Sequence, residues 1–128
     1  MARILVIDDE PGIRKLLRQI LEADGHEVVE AQDGGEGLRY YRLQPVDLVI
    51  TDILMPGEDG LSGIREIRRE FPHARIIAIS GGGETGQLNF LSHARDLGAR
   101  FTLSKPILIP EFRQAVTESL KTHSNRTE

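Results

Sequence analysis

Four short, largely apolar runs recur along this chain: Ile4-Leu5-Val6-Ile7, Leu48-Val49-Ile50, Ile76-Ile77-Ala78-Ile79 and Phe101-Thr102-Leu103. A strand with one wet face alternates apolar and polar residues. A strand covered on both faces does not, so these runs predict buried parallel strands, and Val28-Val29 adds a weaker fifth. Between them apolar residues fall at helical spacing. Ile13, Leu16, Leu17, Ile20 and Leu21 lie between Pro11 and Gly25; Leu38, Tyr41 and Arg42 follow Asp33-Gly34; Leu61, Ile64, Ile67 and Arg68 precede Phe71-Pro72. Leu88, Leu91, Ala94 and Leu97 precede Gly98, and Ile109, Phe112, Val116 and Leu120 form a last stripe beside Pro110. Proline near a helix start and glycine past its end are the expected punctuation. Five strands alternating with five helices predict a doubly wound α/β fold, because each right-handed crossover lays its helix back onto a parallel sheet. The 128 residues hold one such domain, expected over residues 1–121 with a polar tail over 122–128.

The same runs set limits on function. None approaches the roughly 20 apolar residues of a membrane span. Met1-Ala2-Arg3 leads straight into the first strand without a secretory apolar region, which predicts a cytoplasmic location. The chain has no cysteine, which removes disulfides, thiolate metal sites and cysteine nucleophiles. Sixteen Lys+Arg against 20 Asp+Glu give a net charge of -4 and argue against nucleic acid as a partner.

In open α/β sheets the site lies beyond the carboxyl ends of the strands. Those positions are acidic here: Asp8-Asp9-Glu10 follow Ile4-Leu5-Val6-Ile7, and Thr51-Asp52 follow Leu48-Val49-Ile50. Carboxylates brought to one sheet edge repel, and a hard divalent cation with oxygen ligands, Mg²⁺ above all, relieves that repulsion. Ser80 and Ser104-Lys105-Pro106 end the last two runs and add a hydroxyl and an ammonium to the same edge. Carboxylates around a cation, one of them free to act as a nucleophile and a lysine as counter-charge, describe a phosphoryl-acceptor site.

The ordered set Asp8-Asp9, Asp52-Ile53-Leu54-Met55-Pro56-Gly57-Glu58-Asp59-Gly60, Ser80 and Lys105-Pro106 resembles the response-regulator receiver domain over about Arg3 to Leu120. The resemblance implies a flavodoxin-like strand order, 2-1-3-4-5. It also implies Asp52 as phosphoacceptor, and Mg²⁺ (or Mn²⁺) held by Asp9, Asp52 and the Leu54 carbonyl, with Asp8 acting mainly through water. Ser80 and Lys105 are then the phosphoryl-binding residues, and the Lys105-Pro106 peptide is expected to be cis. The implied partners are a histidine kinase or histidine phosphotransferase and a separate downstream protein, without membrane or nucleic acid, the chain being a monomer or a weak phosphorylation-dependent dimer. The signal is expected to leave through the face of the fourth helix, fifth strand and fifth helix.

Two features depart from the family pattern. The switch position three residues before the lysine is usually aromatic; here it is Thr102, and Phe101 is one residue away, on the opposite face of a regular strand. Gly81 to Gly86 lengthen the segment between Ser80 and Lys105 by a few residues and are expected to form a moving lid. Their G-x-G-x-x-G spacing follows the fourth strand rather than the first and lacks the ribose-binding acid, so it does not predict a dinucleotide site. Leu108 and Ile109 are expected in the core, and the four histidines carry no ligand spacing. The alternatives are a phosphorylation-independent interaction module on the same fold and a metal-dependent phosphohydrolase with an Asp nucleophile. The latter needs a second acid where Leu54 stands. A flavin-binding electron carrier is a more distant alternative, since Asp8-Asp9-Glu10 would not cradle a phosphate.

Overall fold

The structure, a computed structural model, describes residues 1–55, 58–80 and 98–126, with residues 54–55, 58–62 and 122–126 described by their backbone. The strands are β1 (Arg3–Ile7), β2 (Glu27–Ala31), β3 (Leu48–Asp52), the short β4 (Leu54–Met55) and β5 (Glu58–Asp59), β6 (Ile76–Ser80) and β7 (Phe101–Ser104). The helices are α1 (Pro11–Ala23), α2 (Gly34–Leu43), α3 (Gly60–Glu70) and α4 (Ile109–Arg126). The five longer strands form one sheet in the order β2-β1-β3-β6-β7, all parallel, which is the predicted 2-1-3-4-5 topology. The predicted helix around Leu88 to Leu97 and the Gly81–Gly86 segment lie outside the described residues.

Both faces of the sheet are covered, which is why the strand sequences do not alternate. Leu5, Ile7, Val49, Ile76 and Ala78 pack with Leu38 and Tyr41 of α2 and Ile64 and Ile67 of α3. Ile4, Val6, Leu48, Ile50, Ile77 and Ile79 pack on the other face with Leu17, Ile20 and Leu21 of α1 and Phe112 and Val116 of α4. Gly37 lets α2 approach this closely, since a Cβ there would collide with the Ile7 side chain. Gly25 ends the α1 connection at φ +91°, a left-handed conformation that favours glycine. Asp33 caps α2 by accepting the Glu36 N–H at 2.8 Å, and Glu36 Oε1 in turn accepts the Gln32 N–H at 2.8 Å.

Four details differ from the sequence reading. The apolar stripe of α1 is narrower, because Leu16 is exposed at its margin while Leu17, Ile20 and Leu21 are buried. Leu108 and Ile109 are exposed rather than in the core. Ile107 is the residue that packs inward, and Leu108 precedes the first turn of α4, where Phe112 N–H reaches its carbonyl at 2.9 Å. The helical backbone continues through the tail expected to begin at Thr122 as far as Arg126, since adding a turn to an existing helix needs no apolar stripe. The antiparallel pair β4–β5, with Leu54 opposite Asp59, was not foreseen, although the Pro56-Gly57 dipeptide between the two strands is a turn signal.

Candidate functional site

Parallel pairing brings the ends of β1, β3, β6 and β7 to one edge. Ile7 lies opposite Thr51, Asp52 opposite Ile79 and Ser80 opposite Ser104, so the next residue of each strand faces the same opening. Asp8 and Asp52 are buried, with 1% and 3% of their surfaces accessible, while Asp9 is exposed. One carboxylate oxygen from each of these three residues lies within 4.8 Å of the others, close enough to share one cation. Burying two carboxylates this near each other costs free energy unless cations neutralise them.

Among the described residues, Lys105 is the cation that pairs with these carboxylates. Its Nζ lies 3.0 Å from Asp52 Oδ2, 3.2 Å from Asp8 Oδ2 and 3.1 Å from Glu10 Oε1. Burial by itself would pull the lysine down, but the Asp52 hydrogen bond and charge, reinforced by Glu10 and Asp8, hold it above its ordinary range. Asp8 moves the other way. Burial pushes its carboxyl from 3.8 up to about 6; the Glu10 N–H opposes this, Asp52 adds to it and Lys105 opposes it. Glu10 occupies the N-cap of α1 without a side-chain cap bond, and its side chain is spent on Lys105. The sequence reading did not anticipate that use of Glu10.

The supporting geometry is local. Asp8 Oδ1 accepts the Glu10 N–H at 2.9 Å, which tightens the turn between β1 and α1. Lys105 N–H donates to the Ser80 carbonyl at 2.7 Å, tying the ends of β6 and β7 together, and the Lys105-Pro106 peptide is cis. Ser80 is fully buried, and among the described residues its Oγ has no hydrogen-bond partner. A buried hydroxyl without a partner is costly and marks a place where a ligand oxygen fits. Of the backbone near Leu54, the other expected ligand, the structure gives strand β4.

Thr102 stands opposite Ala78, and Phe101 opposite Ile77, in unbroken register. Phe101 therefore packs against the cluster covered by α1 and α4. It does not replace the aromatic residue on the Thr102 side, because a strand without a bulge sends adjacent side chains to opposite faces. Thr102 borders a shallow cavity of about 380 Å³ with Ser104, Lys105, Pro106, Leu108 and Glu111.

One contact beside the site was not foreseen: Arg14 of α1 donates from Nη1 to the Asp8 carbonyl at 2.6 Å and from Nε to Glu30 Oε1 at 3.1 Å. The available signal was an acid, Glu30, directly after Val28-Val29 in the second strand, and a helix carrying Arg14 and Arg18 four residues apart.

A family model described as the response regulator receiver domain matches residues 4–117. The chain is 32% identical over 123 residues to the sporulation initiation phosphotransferase F of Bacillus subtilis, covering 96% of this chain and 97% of that protein. It is 33% identical over 127 residues to the transcriptional regulatory protein GlrR of Escherichia coli, but covers 99% of this chain and 28% of that one. Among solved structures, a response regulator receiver domain protein from Clostridium thermocellum superposes with a TM-score of 0.88 at 35% identity, covering 97% of this chain and 98% of that one.

Proposed function

From the premise that this chain belongs to the response regulator receiver domain family, we propose that Asp52 is its phosphoacceptor, with Asp8, Asp9, Ser80 and Lys105 completing the site. The observation that carries this is the convergence of three aspartates within 4.8 Å, two of them bonded to one lysine.

In the reaction proposed, one Asp52 carboxylate oxygen attacks the phosphorus of a phosphohistidine or a small acyl phosphate. The new O–P bond forms as the bond to the imidazole nitrogen or acyl oxygen breaks, and the leaving group departs on the opposite side. Asp9, Asp52 and the Leu54 carbonyl would hold Mg²⁺, with Asp8 acting mainly through water, and all are hard oxygen ligands of the kind it prefers. When bound, Mg²⁺ offsets the negative charge of the carboxylates and of the phosphoryl oxygens. Lys105 supplies a compact positive charge already at 3.0 Å from Asp52, so it needs little motion to meet a phosphoryl oxygen. The unpartnered Ser80 hydroxyl gains an acceptor once that oxygen is present. Water attack on the same phosphorus later returns Asp52 to its carboxylate.

The new dianionic group draws Ser80 and Lys105 together through loops already joined by the Lys105 N–H to Ser80 carbonyl bond. That shift biases the face built by β7 and α4, the surface offered to a downstream protein. With Thr102 in the switch position, the bias is carried mainly by the Ser80 end, with Thr102 as a minor participant. The donor is a histidine kinase or a histidine phosphotransferase, a place in a relay consistent with the likeness to a sporulation phosphotransferase.

The test is incubation with acetyl phosphate and Mg²⁺ followed by intact-mass measurement. Wild type gains one phosphoryl adduct and Asp52→Asn gains none. An adduct that persists in the variant overturns the assignment of Asp52.

A further inference from the structure

The turn carrying Asp8 and Asp9 lies beyond the last paired residue of β1, so the parallel ladder does not itself fix its peptide planes. Asp8 N–H still reaches Ala31 of β2 at 3.1 Å, and Asp8 Oδ1 is held by Glu10 N–H. The carbonyl of Asp8 belongs to the rigid peptide that joins it to Asp9, and its orientation sets where the Asp9 side chain starts relative to the Asp8 carboxylate. That carbonyl receives a short bond, 2.6 Å, from Arg14 Nη1.

Arg14 is itself held. Its Nε donates to Glu30 Oε1 at 3.1 Å, and the second Glu30 oxygen accepts Arg18 Nη1 at 2.9 Å. The hydrogen bond from Arg18, then that from Arg14, holds Glu30 below the usual carboxylate range, so it stays an anion against the two arginines. Arg14 is mostly buried, with 17% of its side chain accessible. The planar guanidinium suits this role, since it presents two fixed donors to two acceptors at once, which an ammonium on a flexible stem does not.

We infer that Arg14 is a positioning residue of the acidic site: pinned by Glu30 of β2, it holds the Asp8 carbonyl and so sets the spacing of the Asp8 and Asp9 carboxylates for a divalent cation. It touches none of the predicted cation ligands' carboxylates. The inference rests on the reading of that cluster as a cation site, and it makes the edge strand β2 part of the site's support.

The test is calorimetric titration of the whole chain with Mg²⁺, for wild type and for Arg14→Gln, Arg14→Lys and Arg18→Gln, alongside acetyl phosphate labelling at graded Mg²⁺. Partners one step removed from a metal typically set its affinity by 10- to 100-fold, so Arg14→Gln is expected to bind Mg²⁺ about tenfold more weakly. The half-saturating Mg²⁺ for labelling rises in parallel, while the rate at saturating Mg²⁺ falls much less. Arg14→Lys keeps the charge, loses the fork and remains weaker than wild type; Arg18→Gln, which leaves the Asp8 bond in place, shows a smaller loss than Arg14→Gln. Unchanged affinity in Arg14→Gln overturns the inference. So does full rescue by lysine, which would reduce the effect to charge, or a loss in Arg18→Gln as large as that in Arg14→Gln. Wild type that takes up neither Mg²⁺ nor phosphate overturns the acceptor reading, and the inference with it. Wild type that takes up both while Arg14→Gln matches it overturns the positioning role alone.

Discussion

At the amino end of the sheet, Asp47 Oδ2 accepts the Arg3 N–H at 2.8 Å, its carbonyl accepts Arg75 Nη1 at 2.8 Å, and Arg3 Nη1 pairs with Glu27 at 2.7 Å. At the carboxyl end, Asp8, Glu10 and Asp52 share one lysine, with Asp9 beside them. The same residue types serve opposite ends. Where each carboxylate has its own donor it fastens strands. Where, among the described residues, three carboxylates share one lysine, the fold carries a local electrostatic cost that a further cation can remove, and chemistry becomes available at that cost. Substitutions that remove an acid should therefore act with opposite signs at the two ends.

The largest effect expected is at Asp52. Asp52→Asn abolishes phosphoryl uptake, yet chemical denaturation of the metal-free protein shows no loss of stability, because Lys105 keeps Asp8 and Glu10 and one repulsive neighbour is gone. A clear loss of stability would break the comparison. The next is a pH dependence centred on Asp8. Its carboxyl is raised from 3.8 to about 6, so the folded protein holds that proton more tightly than the unfolded chain. The associated stability is full below pH 3.8 and is lost as pH rises through about 6. Measured against Asp8→Asn, metal-free wild type should lose on the order of 2–3 kcal/mol over that rise. Mg²⁺ at about a hundred times its dissociation constant should restore about 2.7 kcal/mol to wild type at neutral pH. Parallel pH curves for the two proteins would contradict the cause given for the shift.

How far these sites were legible in the sequence follows the same division. The five strands and their order could be read because strands buried on both faces leave continuous apolar runs, and Asp8, Asp52, Ser80 and Lys105 could be placed because each lies within two residues of the end of such a run. Thr102 and Phe101 could be assigned to opposite faces by strand period alone, and the register bears that out. What could not be read depends on contacts between residues distant in sequence. Glu10 looks like one more acid of the turn until Lys105, 95 positions away, reaches it. Arg14 looks like a solvated helix residue until β2 brings Glu30 alongside. The exposure of Leu108 and Ile109 depends on which residue after cis Pro106 turns inward, a choice made by the chain path rather than by hydropathy.

At the amino end the effects are smaller and of the ordinary sign. Asp47→Ala leaves the part-buried Arg3 N–H without its acceptor and should cost about 1–2 kcal/mol in urea unfolding, with phosphoryl uptake unchanged. A stabilising Asp47→Ala would erase the contrast between the two ends. The smallest effect is at the exposed Arg3–Glu27 pair, where Glu27→Ala should shift stability by about 0.5 kcal/mol or less, and by less still in high salt.

The central claim, that the carboxylate surplus at one end of the sheet serves to place a phosphoryl group on one aspartate, is tested most directly by locating that group. An aspartyl phosphate is reduced by borohydride to homoserine, which survives digestion and can be found by peptide mass mapping. After reaction with acetyl phosphate and Mg²⁺, homoserine is predicted at position 52, with Asp8 and Asp9 intact. Homoserine at position 8 or 9, or at none of the three in a protein that has gained the adduct, would contradict it.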